Sequence, residues 1–109
     1  MKIRYKGYGA SYKRDGTPYE GENILEQFSR DLSNPDKRRI ALTELSDGKI
    51  VSTIWLGINH RFGDGPPLIF ETMVFPKADD WNDLDMQRYS IESEAIKGHQ
   101  EMVKKWGSC

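Results

Sequence analysis

His60, Arg61 and Asp64 stand close together in the stretch WLGINHRFGDGPPLIF, which runs from Trp55 to Phe70. An imidazole that titrates near neutral pH, oriented by a neighbouring carboxylate, is the pairing of a general base. Glu71 in LIFETMVF adds a second carboxylate, on the strand face that also bears Ile69, Met73 and Phe75. If that face is buried, the charge must be paired or hydrogen-bonded. Glu71 is then either a pocket acid with a raised pKa or, as the favoured rival, a residue at an edge position or the partner of an arginine such as Arg39 or Arg88. No serine or cysteine lies between Asn59 and Pro67, and nucleophilic catalysis needs one within hydrogen-bond reach. A small hydrolase using His60, Asp64 and Glu71 is therefore the alternative reading.

The same loop can meet an anion without catalysis. The amides of Gly63 and Gly65 can form a nest beside Arg61, although GINHRFGDG lacks the spacing of a P-loop and does not open a helix. The plainer rival is a hairpin connection stiffened by Pro66 and Pro67. Against it stands the length, since residues 59–67 are far more than a tight turn needs. His99 follows Gly98 inside the last helical stretch, and a glycine there costs about 1 kcal/mol relative to alanine. Close approach of helix to sheet, with His99 hydrogen-bonded at the edge of the core, is the expected reason. His60 and His99 with Asp64 or Glu71 lack the spacing that makes a zinc site readable. No metal and no cofactor is expected.

The N-terminal arm alternates cations with aromatic rings: Arg4, Tyr5, Lys6, Tyr8, Tyr12, Lys13, Arg14, Tyr19. Rings stack on bases and cations meet phosphates, so the arm suits a nucleotide or a single strand; tyrosines among glycines also build small wet-edged strands. The first fourteen residues hold five bases and no acid, whereas Asp79 to Glu101 hold seven acids against two bases, within a net charge of −1. That balance excludes a uniformly basic nucleic-acid surface and leaves a local basic arm. The one cysteine, Cys109, cannot form an internal disulfide, which fits a reducing compartment. MKIRYKGYGA lacks the continuous apolar core of a secretion signal and no apolar run approaches the roughly 18 residues of a membrane span, so the chain is expected to stay where it is made.

One domain, residues 1–109, must position these groups. The segment IRYKGYGASYKRDGTPYEG reads as a short strand or two around glycine turns. ENILEQFSRDLS places Ile24, Leu25, Phe28 and Leu32 at helical spacing, and NPD stops it. RRIALTEL and KIVSTIWLGI flank Asp47-Gly48, which predicts a two-residue type I′ hairpin. PLIFETMVF and LDMQRYS read as further strands, and Ser90 is expected to cap a final helix, IESEAIKGHQEMVKKW. In that helix Ile91, Ala95, His99, Met102 and Trp106 form one stripe, with Ile96 and Val103 beside it. The fold class is α+β, an antiparallel meander of about four to five strands with two helices on one face.

The predicted hairpin register sets Leu45 against Ile50 and Ala41 against Ile54, joined by Leu56 on one side of the sheet. Ile40, Leu42, Val51 and Trp55 fall on the other. Both faces are apolar, so either the aromatic N-terminal segment or another subunit covers the second; a homo-oligomer is the favoured answer.

The string VSTIWLGINHRFGDGPPLIFETMVF followed by RYSIESEAIKGHQEMVKKW resembles a group of short proteins encoded by bacteriophages and prophages. The shared look is a Trp-Leu-Gly strand end, a Gly-x-Gly-Pro-Pro loop, an IFETMVF-like strand and a closing RYS…EA…GH helix. It covers Ile50 to Trp106 and leaves the N-terminal half unmatched. The resemblance implies a phage origin and the cytoplasm of a bacterial host, and carries no mechanism. The leading expectation is an accessory, counter-defence protein that sequesters a host factor without catalysis. A nucleotide second messenger of host immunity is the ligand considered first, and direct inhibition of a host protein the alternative. The ligand would lie between the arm (Arg4, Tyr5, Tyr8, Tyr12) and the loop (Asn59, His60, Arg61, Gly63, Gly65), with Trp55 and Glu71 nearby. A nucleic-acid-binding module ranks below these.

Overall fold

The computed structural model describes residues 7–107. The readings placed on Arg4, Tyr5, Lys6 and Cys109 lie outside them. The sequence folds in the order α1 (Ile24–Leu32), α2 (Pro35–Arg38), β1 (Arg39–Glu44), β2 (Ile50–Trp55), β3 (Phe70–Phe75), β4 (Asp85–Tyr89) and α3 (Glu92–Gly107). The strands form one antiparallel meander, β1-β2-β3-β4. This is the expected α+β class, with four strands. Residues 7–19 contribute only isolated bridges, Ser11 to Ile58 and Tyr12 to Pro18, around a turn at Lys13–Thr17.

The asparagine-proline pair has two roles. It ends α1, and it starts α2, with Pro35 in the first turn and the Asn34 side chain accepting from the Asp36 amide at 3.0 Å. In α1, Ile24, Phe28 and Leu32 pack on the core while Leu25 points to solvent. Ser90 does not cap α3, which begins at Glu92; its hydroxyl lies 3.5 Å from the Pro66 carbonyl instead.

The β1–β2 turn corrects the predicted register. Gly48 alone takes a positive φ, 93°, while Asp47 keeps a negative one. A type I′ turn needs both. The Gly48 amide donates to the Leu45 carbonyl at 2.9 Å and the Leu45 amide to that of Lys49 at 2.8 Å. The loop is thus three residues long, and the pairs from the turn back to Ala41 move by one: Glu44 faces Ile50, Thr43 faces Val51, Leu42 faces Ser52. A one-residue shift exchanges the faces of a strand. Ala41 and Leu45 therefore lie with Val51 and Trp55, and Leu42 lies with Ile50 and Ile54. A bulge between Arg39 and Ala41 lets Ile40 turn inward as well.

The inner face, covered by α3, holds two apolar clusters. Trp55, Phe70, Ile69, Tyr12, Tyr19 and Ala95 form one, against which Phe28 of α1 packs edge-on to Trp55 at 6.0 Å. Leu45, Val51, Val74 and Met102 form the other. Between them runs a buried polar chain. His99 Nε2 lies 2.8 Å from Thr43 Oγ1, His99 Nδ1 2.7 Å from Thr53 Oγ1, and Thr53 Oγ1 2.6 Å from Thr72 Oγ1. Thr72 in turn bonds Tyr89. Run either way the chain is complete around a neutral imidazole: Thr43 donates to Nε2, Nδ1–H to Thr53, Thr53 to Thr72 and Thr72 to the Tyr89 oxygen, or every donor is reversed, from the Tyr89 hydroxyl to Nε2–H and Thr43. Burial pushes the His99 pKa below its ordinary value, which keeps the neutral ring both directions require. Gly98 is present for the same close approach, because a Cβ there would overlap the Tyr89 ring and hydroxyl.

Arg14 fastens the N-terminal segment to the helices. It pairs with Glu92 at the start of α3 and donates to the Asp36 and Lys37 carbonyls, each at 3.1 Å.

Candidate functional site

Loop 59–67 is built upward from Asn59. That side chain is buried, and its Oδ1 accepts the amides of Arg61 (2.8 Å) and Leu68 (3.1 Å), closing the loop on itself. The Asn59 backbone holds the N-terminal segment, donating to the Ala10 carbonyl and accepting from the Gly9 amide, both at 2.9 Å. The Arg61 side chain then lies across the loop, Nε donating to the Pro66 carbonyl at 2.6 Å. Gly65, at φ 129°, permits this, since a Cβ there would stand 3.2 Å from Arg61 Cδ. The Nη groups of Arg61 have no partner among the described residues, so the guanidinium is oriented and still able to donate.

The loop brings three rings together at the surface. Tyr8 stacks on Phe62 with centroids 4.3 Å apart and planes 13° from parallel, and His60 meets Tyr8 edge-on at 6.5 Å. Phe62 is 79% exposed and Tyr8 59%. His60 Nδ1–H donates to the Ile58 carbonyl at 2.8 Å, which leaves Nε2 as its free acceptor. Phe62 escaped the sequence reading although it lies within the opening stretch. Only its contact with Tyr8, more than fifty residues away, gives it a role, and no local pattern encodes that.

The remaining candidates are placed elsewhere. Tyr12 and Trp55 are core residues, 3% and 1% exposed, with Trp55 Nε1–H donating to the Tyr12 carbonyl at 3.2 Å. Glu71 lies on the outer face of the sheet, where Arg88 Nε donates to its Oε2 at 2.9 Å. It shares that face with Met73 and Phe75; Ile69, just ahead of the strand, joins the inner cluster instead. Gly63, at φ 84°, sits at the exposed tip of the loop.

The three groups of the hydrolase reading are thus engaged separately: His60 with a backbone carbonyl, Glu71 with Arg88, Asp64 with solvent. No hydrogen bond among the described residues joins them. No group of three or more metal-ligating side chains occurs among the described residues, and no helix there is long and apolar enough to cross a membrane.

The outer face holds further exposed apolar groups. Leu42, Met86 and Trp81 are exposed, and Trp81 lies edge-on against Phe75 at 5.3 Å. A groove of about 250 Å³ is lined by Arg39, Leu42, Ile50 and Phe75 and, at its side, by Trp81 and Lys77. No protein family, curated protein or solved structure matches the chain.

Proposed function

We propose that this chain is a non-catalytic binding protein, a phage accessory factor that sequesters a nucleotide of host immunity on the rim formed by Tyr8, His60, Arg61 and Phe62. The observation that carries the reading is the exposed Tyr8–Phe62 stack beside an oriented guanidinium with free Nη groups. Two large rings left in water have an open π-face to offer a base, and stacking of that kind contributes about 1–3 kcal/mol per base. Arg61 and the Gly63 and Gly65 amides suit the phosphate. Because Asn59 already fixes the loop, little ordering cost opposes binding. The resemblance of Ile50 to Trp106 to phage-encoded proteins supports the phage origin in this proposal.

Calorimetric titration of the full chain with a panel of mono- and cyclic dinucleotides tests this. At least one should bind, Phe62→Ala should weaken it about tenfold or more with the unfolding temperature unchanged, and the ligand should be recovered intact. No binding across the panel, or recovery of a hydrolysed product, would refute it.

A further inference from the structure

We propose that the outer face of the sheet is a homodimer interface, in which a second copy packs face to face with its strands reversed. The register places the outer-face side chains in rows. Arg39, Ile54, Glu71 and Arg88 form one end row, Leu42, Ser52, Met73 and Met86 the middle, and Glu44, Ile50 and Phe75 the other end. The middle row and its neighbours Ile50 and Ile54 are apolar except for Ser52. In a chain of this size such a surface on one side of a sheet marks an association site.

The charges at the two ends say what covers it. Arg39 and Glu44 are exposed at opposite ends of β1, and neither has a partner among the described residues. The rise of a strand sets their backbones roughly 17 Å apart, and the Arg39 side chain lines the groove with Leu42 and Trp81 without bonding Glu44. A two-fold axis lying across the strands, in the plane between two stacked sheets, sets each strand over its own copy with the direction reversed. Each end row then lies over the opposite end row of the other copy. Arg39 comes over Glu44 of the second copy, and Glu44 over its Arg39. The same operation carries Trp81, 76% exposed beside Phe75, toward the end row that holds Arg88 in the second copy. An indole over a guanidinium is a favourable meeting, and within that row Glu71 and Arg88 offset each other, which leaves the charge of Arg39 for Glu44 of the second copy. A two-fold axis along the strands would instead set Arg39 over Arg88, a like-charge contact.

Four strands of about six residues give a flat footprint on the order of 400 Å², roughly half of what a standard interface takes from each partner. The dimer is accordingly expected at micromolar concentration.

Sedimentation equilibrium of the full chain between roughly 1 and 100 µM, a range set by that footprint, should reach twice the 12.6 kDa chain mass. Arg39→Glu and Glu44→Arg should each raise the dissociation constant roughly tenfold or more, as like charges face each other twice. An equimolar mixture of the two variants should dimerise again, because only the mixed pair restores both ion pairs. That rescue also shows that each variant is folded. A wild-type monomer throughout the range overturns the proposal and leaves the face to a host protein or to residues 1–6. So does a dimer indifferent to both reversals, or a pair of variants that the mixture fails to rescue. Nucleotide binding at the rim is not required in any arm, so failure there and failure here are read separately.

Discussion

The two faces of the sheet handle polar groups in opposite ways. On the inner face the buried polar groups are neutral and complete one another: His99 sits between Thr43 and Thr53, Thr53 bonds Thr72, and apolar clusters close both ends, while the charge of Asp85 at the sheet edge is met within the chain by Lys105 and Trp106 of α3. On the outer face they are charged. Glu71 has Arg88, but Arg39 and Glu44 at the ends of β1 have no one among the described residues. A neutral chain under a helix is satisfied by its own molecule and fixes how α3 docks. The exposed charges that frame the apolar row are solvated in the single chain and remain open to pairing with another molecule. The difference separates what holds the fold from what the fold presents.

The largest expected effect lies on the inner side. Trp55 is fully buried, packs edge-on with Phe28 and donates to the Tyr12 carbonyl, so it joins β2, α1 and the N-terminal segment. Trp55→Ala removes that volume and leaves a carbonyl without its donor. Urea unfolding should show a loss of about 3–5 kcal/mol, and a loss below 1 kcal/mol would mean that the three elements do not share one core.

His99 should break the same side more gently, and in a pH-dependent way. Its folded pKa is depressed by burial from an ordinary 6.5. The unfolded chain then binds more protons than the folded one below about pH 6.5, and stability falls as pH drops through that region. Asp31, Asp85 and Glu92, held low mainly by hydrogen bonds from Lys37, Lys105 and Arg14 respectively, lose their contribution only below the carboxylate range. The window between the carboxylate range and pH 6.5 therefore reports His99 alone among these groups. Wild type should lose thermal stability between pH 7.5 and 5.5, and His99→Gln, which keeps polar contacts without titrating, should be flat there while starting about 1–3 kcal/mol lower for its imperfect bonds. Equal slopes in the two proteins would show that His99 is not buried neutral.

The sequence disclosed the elements better than their relations. Alternation, proline and the Asp47-Gly48 signal located the hairpin and the third and fourth strands, because those cues are local. The face assignment of β1 depended on one torsion at Asp47, and one residue of slip moved Leu42 and Leu45 across the sheet. Gly98 was readable as a close approach because a glycine within a helix has an intrinsic cost that packing must offset; that the approaching group is Tyr89 was not. The rim was legible in part. His60, Arg61 and the two glycines announced a loop with polar ambitions, but the rings that crown it, Tyr8 and Phe62, meet only through the pairing of Gly9 and Ala10 with Asn59. Trp81 stands alone in the acidic run ADDWND, a large apolar ring where none is needed for a core, and that isolation was the available signal for the outer face.

The smallest effect on stability belongs to the middle of the outer face. Leu42 is 51% exposed on an edge strand and touches neither inner cluster, so Leu42→Ser should change unfolding free energy by about 0.5 kcal/mol or less. If the face were simply the wet side of a sheet, nothing else would change. If it meets a second copy, the substitution deletes an apolar group from each side of the two-fold axis, and the dissociation constant should rise severalfold with no change in unfolding measured below it. Trp55 and Leu42 then form a matched pair of tests: two apolar side chains on opposite faces, one whose loss destabilises the chain at any concentration and one whose loss appears only where chains associate. A Leu42→Ser protein destabilised by more than 1 kcal/mol while still monomeric would mean that the outer face is covered from within the chain, and the contrast between the faces would fall.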